Sequence, residues 1–529
     1  MSFSIRPLFL KRQWVLNGLL LFSLVMSGCA RLPDNSIRQA SYHYADTEGT
    51  LLAQVSGTTP KVDASQSGFL LLESGLDAFV ARTALARAAQ RSIDAQYYLL
   101  HDDMTGQLFL DEMIQASRRG VRVRLLVDDM DLEGRDADAA ALDAMPNVEV
   151  RIFNPFGRNV SRWSQFLTRF GSVTRRMHNK SFIVDGEAVV LGGRNIGNEY
   201  FEADPALAFG DLDVLGFGPI ARQAAVSFDA YWNHALAYPA TRLLGKTPDA
   251  AAVIDYQRQL KARIAAQAAD YDPYFQALRE ARLTRRLEAG LLPLVWGHAW
   301  LVADDPDKLV VDRRRQELHL SRALAPYFLG LEESLVIFSP YFVPGREGTD
   351  LLKSLVQRGV RVQILTNSLA STDVPVVHAG YARYRRELLR AGVELYEMDR
   401  QSAPRPRLKT FFTGSSKASL HAKSFVLDGQ YVFIGSLNLD PRSLVENSEV
   451  GVVIDSADIA GVMLEWFEQD VQKVAFRVTL EETAHGTEQL RWTSHQDGTV
   501  VRFDVEPHTC MLQRVGVGLM RLLPIESQL

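Results

Sequence analysis

The 529-residue sequence contains only two cysteines, Cys29 and Cys510. Once Cys29 is removed or modified on export, no intramolecular disulfide can form, and a structural zinc site built on thiolates is excluded. A strong positive excess is also missing: the net charge is −5, which argues against bulk nucleic acid as the main partner. No long membrane-spanning run appears at the amino terminus either. The apolar stretch WVLNGLLLFSLVM, residues 14–26, falls short of the roughly 20 residues a helical span takes. What is present, 47% hydrophobic and 23% charged residues, describes a folded globular protein, and the length exceeds what one core usually supports. Two domains, or two halves of one large domain, are expected.

Arg6, Lys11 and Arg12 precede that apolar stretch, and SGCA follows it. This order reads as an export signal. Cys29 stands where bacterial lipoprotein signals place the cysteine that is lipidated, although Met26 stands where leucine is commoner. Ala30 behind it resembles the outer-membrane sorting pattern of two-membrane bacteria. The expectation is a lipoprotein-type signal over residues 1–29 and a membrane-attached protein facing the periplasm. A signal anchor and a cleaved soluble precursor are the alternatives.

The chain repeats itself. HNKSFIVDGEAVVLGGRN at 178–195 aligns without a gap on HAKSFVLDGQYVFIGSLN at 421–438, and upstream RGVRVRLLVDD answers RGVRVQILTNS. Short β-type runs alternate with helix-type segments in both copies, the α/β pattern. The expected organisation is a linker at 30–67, a first half at 68–237, a helical connector at 238–317, a second half at 318–475 and a C-terminal extension at 476–529.

Inside each copy, two apolar runs are joined by Asp-Gly, a strong hairpin signal, so Asp185 and Asp428 read as turn residues. His178 and Lys180, like His421 and Lys423, are two apart and share a strand face. Gly192, Gly193 and Gly435 let a ligand approach the backbone, and Asn195 and Asn438 can donate amide hydrogen bonds. If the halves pack about a pseudo-twofold axis, two histidines, two lysines and two asparagines surround one anionic group, a phosphate site. One imidazole can attack phosphorus while the other protonates the leaving alkoxide. Glu449, and Asp213 in the first copy, are the carboxylates expected to hold the imidazoles in the useful tautomer.

The doubled pattern H-x-K-x4-D-x6-G-[G/S]-x-N resembles the phospholipase D superfamily, with Gly193 departing from the usual serine that Ser436 supplies in the second copy. Segments such as NPFGRN, SPYFVPG and GSLNLDPRS look like bacterial cardiolipin synthases, closest to the C-type. The resemblance implies two tandem αβα sandwich halves with one shared active site, and metal-independent phosphatidyl transfer through a phosphohistidine with no cofactor. It also implies His178 as nucleophile and His421 as general acid and base. The symmetry of the site leaves the reverse assignment open.

Before the first histidine, residues 151–177 contain six arginines and no acidic residue, with Trp163, Phe166, Leu167 and Phe170 at helical spacing. Such a helix suits a lipid headgroup interface, with Arg162, Trp163, Phe166 and Phe170 as contacts; it equally describes core aromatics under a solvated basic face. PRPRLKTFF before the second histidine has the same flavour. The expected partners are phospholipids, phosphatidylglycerol and phosphatidylethanolamine, and a membrane surface, not nucleic acid. A phospholipase D using water as acceptor, and more remotely a nuclease, would use the same residues. The apolar C-terminal stretch with Arg514 and Arg521 can either pack on the body or lie in the interface.

Overall fold

The computed structural model describes residues 32–58, 63–204, 208–289, 291–401, 418–496 and 499–522. Cys29 with the whole 1–29 segment, and the basic aromatic stretch before His421, lie outside them. Both halves are built on the same sheet. The first runs, neighbour to neighbour, Ser67–Leu72, Asp213–Phe217, Ala188–Gly192, Ser181–Val184, Ser92–Tyr97, Arg122–Asp128, Val148–Phe153 and Ala237–Pro239. The second repeats this order with Val295–Ala303, Val450–Asp455, Tyr431–Gly435, Ser424–Leu427, Ser334–Phe338, Arg361–Asn367, Glu394–Met398 and Ala475–Glu482. Antiparallel pairing of Ser67 with Gly297 and of Phe69 with Val295 joins them edge to edge. In each half three strands are parallel and linked by crossover helices, Met104–Arg118 in the first and Gly345–Gln357 in the second.

Strand residues alternate between two cores, as a period of two requires. Phe182, Val184 and Val190 face the outer helices Gly75–Ala88 and Met104–Arg118, whereas Ile183, Val189 and Leu191 face helix Pro219–Trp232. That second core is common property. It also contains Val432, Ile434, Val452 and Ile454 and the inner face of helix Ala457–Val474 from the other half. The strands are buried on both faces, which explains why they read as continuous apolar runs.

Two stretches expected as connectors carry more structure than the sequence suggested. Residues 238–317 contain the helices Ala250–Gln267, Asp272–Glu280 and Arg282–Glu288, and then the strand Val295–Ala303, which opens the second sheet. Residues 32–50 wrap the first half: Asn35 donates to the carbonyls of Ala235 and Ala237, and His43 pairs with Asp229 at 2.7 Å. Beyond residue 482 the described residues add the strands Glu488–Gln496 and Thr499–Phe503 to the second sheet, followed by helix Met511–Met520.

The hairpin aspartates adopt positive φ, 55° at Asp185 and 50° at Asp428, followed by Gly186 at 65° and Gly429 at 62°. Each also anchors a neighbouring strand. The Asp185 carboxylate accepts from the backbone N–H groups of Gln90, Arg91 and Ser92, and Asp428 accepts from Glu332, Glu333 and Ser334. Asp185→Ala strands three N–H groups and strains the turn, so equilibrium urea unfolding is expected to show a loss on the order of 3 kcal/mol. Asp185→Asn is expected to lose less than half of that, and turnover per folded molecule should stay near the unsubstituted level for both.

Candidate active site

Each motif histidine is held by the other half. The backbone N–H of His178 donates to Ser448 O at 2.9 Å, and its Nδ1–H to Glu449 Oε2 at 2.8 Å. Reciprocally, the N–H of His421 donates to Gly210 O at 2.7 Å and its Nδ1–H to Asp211 Oδ2 at 2.5 Å. A short parallel pairing of Ala418–Leu420 with Ala208–Gly210 supports the second contact, and a single bridge from Met177 to Ser448 the first. With Nδ1 engaged, the tautomer is fixed and Nε2 is the nitrogen left for chemistry in both rings.

Asp213 is not the carboxylate of the first half. Sheet register pairs Gly192 with Asp213 and Gly435 with Gly451, so the residue answering Glu449 is Asp211. Asp213 lies two residues further along the chain, so by strand period it shares the face of Asp211, and that period alone cannot tell the two apart. The sequence did contain the correct phase: Asp211-Leu212-x-Val214 matches Glu449-Val450-x-Val452 without a gap. Asp213 instead pairs with Arg82 at 2.9 Å and Arg194 at 3.6 Å in the interior.

The departure at Gly193 has a structural cause. A Cβ there would stand 2.4 Å from Asp211 Oδ1, so glycine makes room for the shorter carboxylate. Its counterpart Ser436 donates to Glu449 Oε2 at 2.5 Å and accepts from Val450 N–H at 3.0 Å. The Ser436 hydroxyl is thus engaged in orienting Glu449.

Lys180 and Lys423 are buried and each donates to the carbonyl of its own motif histidine. Asn195 donates to Tyr200 Oη at 3.0 Å and accepts from Leu99 N–H at 3.2 Å, so its amide braces the loop. Asn438 keeps a buried side-chain oxygen with no partner among the described residues. Aromatic rings that nothing in the motif announced line the histidines. Tyr98 lies edge-on to His178 at 5.0 Å, and Tyr200 and Phe209 flank His421 at 5.2 and 5.1 Å.

Burial pushes Lys180 down to about 7 and Lys423 to about 8, with the nearby carboxylates opposing it. Burial, with the charges of Lys180 and Lys423, also drives His178 well below its ordinary value; burial and Lys423 lower His421. The two carboxylates diverge. Burial raises Glu449 to about 7, whereas at Asp211 the burial effect is overcome by His421, Lys423 and Arg194, which hold it below the usual range. Desolvated lysines and imidazoles, all held short of their usual protonation, make a site that gains by accepting an anion.

The basic stretch before His178 is largely neutralised from elsewhere in the fold. Arg176 pairs with Asp128, Arg158 with Asp129 and Asp136, and Arg175 with Glu446. Arg162 bonds Met130 O and Asp129, and Phe166 packs on Phe156 at 5.6 Å. The helix is short, Arg162–Thr168, and only Trp163 and Phe170 of the four expected contacts are exposed, at 75% and 60%. Among the described residues no group of three or more His, Cys, Asp or Glu could hold a metal ion.

The two aspartates separate experimentally. Asp211→Asn removes the partner that orients His421, and turnover of a phosphodiester substrate is expected to fall on the order of 10³-fold with little change in thermal unfolding. Asp213→Asn leaves the Arg82 charge buried and unpaired, and is expected to cost about 3–5 kcal/mol of stability instead.

Comparison with known proteins agrees with this architecture. Residues 83–232 and 330–471, one block in each half, match the family described as cardiolipin synthase, PLD-like domain. Cardiolipin synthase C of Escherichia coli (strain K12) is 40% identical over 470 residues, covering 87% of this chain and 96% of that protein. An uncharacterized protein of Helicobacter pylori (strain 26695) is 32% identical over 490 residues, covering 91% and 92%. The fold resembles the crystal structure of a phosphatidylserine synthase from Haemophilus influenzae Rd KW20, with a TM-score of 0.50 at 16% identity over 80% of this chain and 91% of that one. With two crossed histidine–carboxylate pairs on a duplicated sheet and a family match spanning both halves, the chain belongs to the cardiolipin synthase family of phospholipase D-like proteins.

Proposed function

We propose that the protein transfers a phosphatidyl group between phospholipid alcohols, forming cardiolipin from phosphatidylglycerol and a second phospholipid such as phosphatidylethanolamine. The observation that carries the reading is the pair of imidazoles, each oriented through Nδ1 by a buried carboxylate of the opposite half. His178, the more strongly depressed of the two, presents a neutral Nε2 that attacks phosphorus. The leaving alkoxide takes a proton from Nε2 of His421; burial and Lys423 lower that ring, and the ionised Asp211 together with the bound phosphodiester anion draws it back toward the protonated form. The acceptor hydroxyl then returns its proton to His421 as its oxygen displaces His178 from phosphorus. Lys180 and Lys423 offset the phosphoryl charge throughout, and the anion in turn restores their full protonation.

The exposed Trp163 and Phe170 support a lipid-facing rim beside the first motif, and the sequence around Cys29 supports a lipid-modified attachment to the envelope facing the periplasm. No helix among the described residues is long and apolar enough to cross a membrane.

Purified protein in vesicles of phosphatidylglycerol and phosphatidylethanolamine is expected to yield cardiolipin by lipid mass spectrometry, and His178→Ala none. Phosphatidic acid without cardiolipin would replace transfer by hydrolysis, and no lipid turnover would reject the reading. The same preparation should carry an acylated N-terminal cysteine derived from Cys29; an unmodified or unprocessed terminus would sink the lipoprotein attachment.

The pH profile follows from the site. Because the free imidazole of His178 gains its proton only well below pH 6.5, the acid limb of kcat/KM should follow protonation of its partner Glu449, raised to about 7, and not of His178 itself. From about pH 7 upward kcat/KM should decline, since His421, lowered by burial and Lys423, gives up the proton the leaving group needs, and Lys180 and Lys423, at about 7 and about 8, lose the charge that binds the phosphodiester. A profile rising steadily to pH 9 would contradict this account.

A further inference from the structure

The C-terminal helix Met511–Met520 is apolar on two opposite sides. One side is satisfied: Val517 is buried against Leu369 and Ala379, and Met520 packs on the same cluster. The other side is not. Met511, Leu512, Val515, Leu519 and the following Leu522 are exposed at 72%, 82%, 49%, 62% and 80%. At about 100° per residue these five fall within one arc of about 100°, while Val517 and Met520 point away from it. An isolated exposed leucine needs no explanation, but a continuous stripe of five large apolar side chains marks a contact surface.

The charge beside the stripe identifies what the contact takes. Residues 507–522 contain Arg514 and Arg521 and no acidic residue. The helix beneath, Pro375–Ala391, contributes Arg383, Arg385, Arg386 and Arg390 against a single acidic residue, Glu387. Arg385 is neutralised by Glu397 and Glu506, and Arg390 pairs with Glu488. Arg521 still lies close enough to Arg385, Arg383 and Arg386 for their charges to add to burial in lowering it. An apolar stripe flanked by arginines fits the headgroup and upper acyl region of an anionic bilayer.

The helix is also connected to the catalytic machinery through one loop. Leu369, on which Val517 packs, lies two residues beyond Asn367, whose side chain bonds both backbone groups of Leu420 immediately before His421. A surface pressed against the helix is therefore close to the segment that presents His421.

We infer that helix Met511–Met520 is an interfacial docking element that seats the second half on anionic phospholipid, where the site finds its substrate. The substrate part of this statement rests on the phosphatidyl-transfer reading; the docking part does not. Cys510, exposed and free at the start of the helix, provides a reporter once Cys29 is replaced by serine. A polarity-sensitive fluorophore on Cys510 of the full chain should shift to the blue on phosphatidylglycerol vesicles and much less on phosphatidylcholine vesicles.

Leu512→Glu/Leu519→Glu, at two exposed positions, should abolish the shift without changing the circular dichroism spectrum. It should also lower turnover on vesicles about tenfold, while leaving turnover of a dispersed short-chain phosphatidylglycerol unchanged. An unshifted label on vesicles would overturn the inference, and so would a shift that appears without lipid as protein concentration rises, which would make a second copy the occupant. An equal shift on phosphatidylcholine would overturn the selection of anionic lipid. If the unsubstituted protein shifts on vesicles but turns over neither vesicle nor short-chain lipid, docking stands and the phosphatidyl-transfer reading fails.

Discussion

The reciprocal exchange of hydrogen bonds between the halves governs the rest of the structure. Neither motif is complete on its own sheet. His178 depends on Glu449 and on the carbonyl of Ser448, and His421 depends on Asp211 and on the carbonyl of Gly210. The shared central core exists to hold that exchange in register, because a carboxylate displaced by even one strand position would face the wrong side of its sheet. Burial inside that core is also what unsettles the charges: the desolvation that strengthens every contact with a bound anion keeps the lysines and imidazoles short of their usual protonation.

Much of this was legible in the sequence. Strands buried on both faces give unbroken apolar runs, Asp-Gly demands a turn with positive φ, and a gapless internal repeat can hardly arise from anything but duplicated structure. Hence the two halves and the hairpins at Asp185 and Asp428 could be read directly. The carboxylates were harder, because they lie on a strand whose partner is fixed by hydrogen bonding rather than by neighbouring sequence. A slip of two residues moved the expectation from Asp211 to Asp213. The basic stretch misled for a similar reason: its countercharges, Asp128, Asp129, Asp136 and Glu446, come from distant loops that no local window contains. Tyr98, Tyr200 and Phe209 carry no local signature that separates an aromatic beside an imidazole from one in a core.

The halves share a backbone plan but not a charge plan. The position of Arg194 in the first motif is held by Leu437 in the second, Gly193 by Ser436, and Asp211 by Glu449. Arg194 donates to Asp211 O and lies beside Asp213, whereas Glu449 receives no such cation through its own motif and is backed by Asp304, which accepts its N–H. Arg194 adds to His421 and Lys423 in holding Asp211 below its usual range, whereas burial dominates at Glu449 and raises it, so the two imidazoles have unequal surroundings within an otherwise matching frame.

Covalent fusion of the halves is what permits that inequality. Two identical chains meeting across a true twofold axis would be obliged to place the same residue at both equivalent positions, so any substitution favouring one imidazole as attacking group would equally burden its mate as proton carrier. A single polypeptide, stitched across the seam where Phe69 meets Val295, escapes the constraint. Each motif is then free to drift toward a separate role, and symmetry survives only where the scaffold requires it.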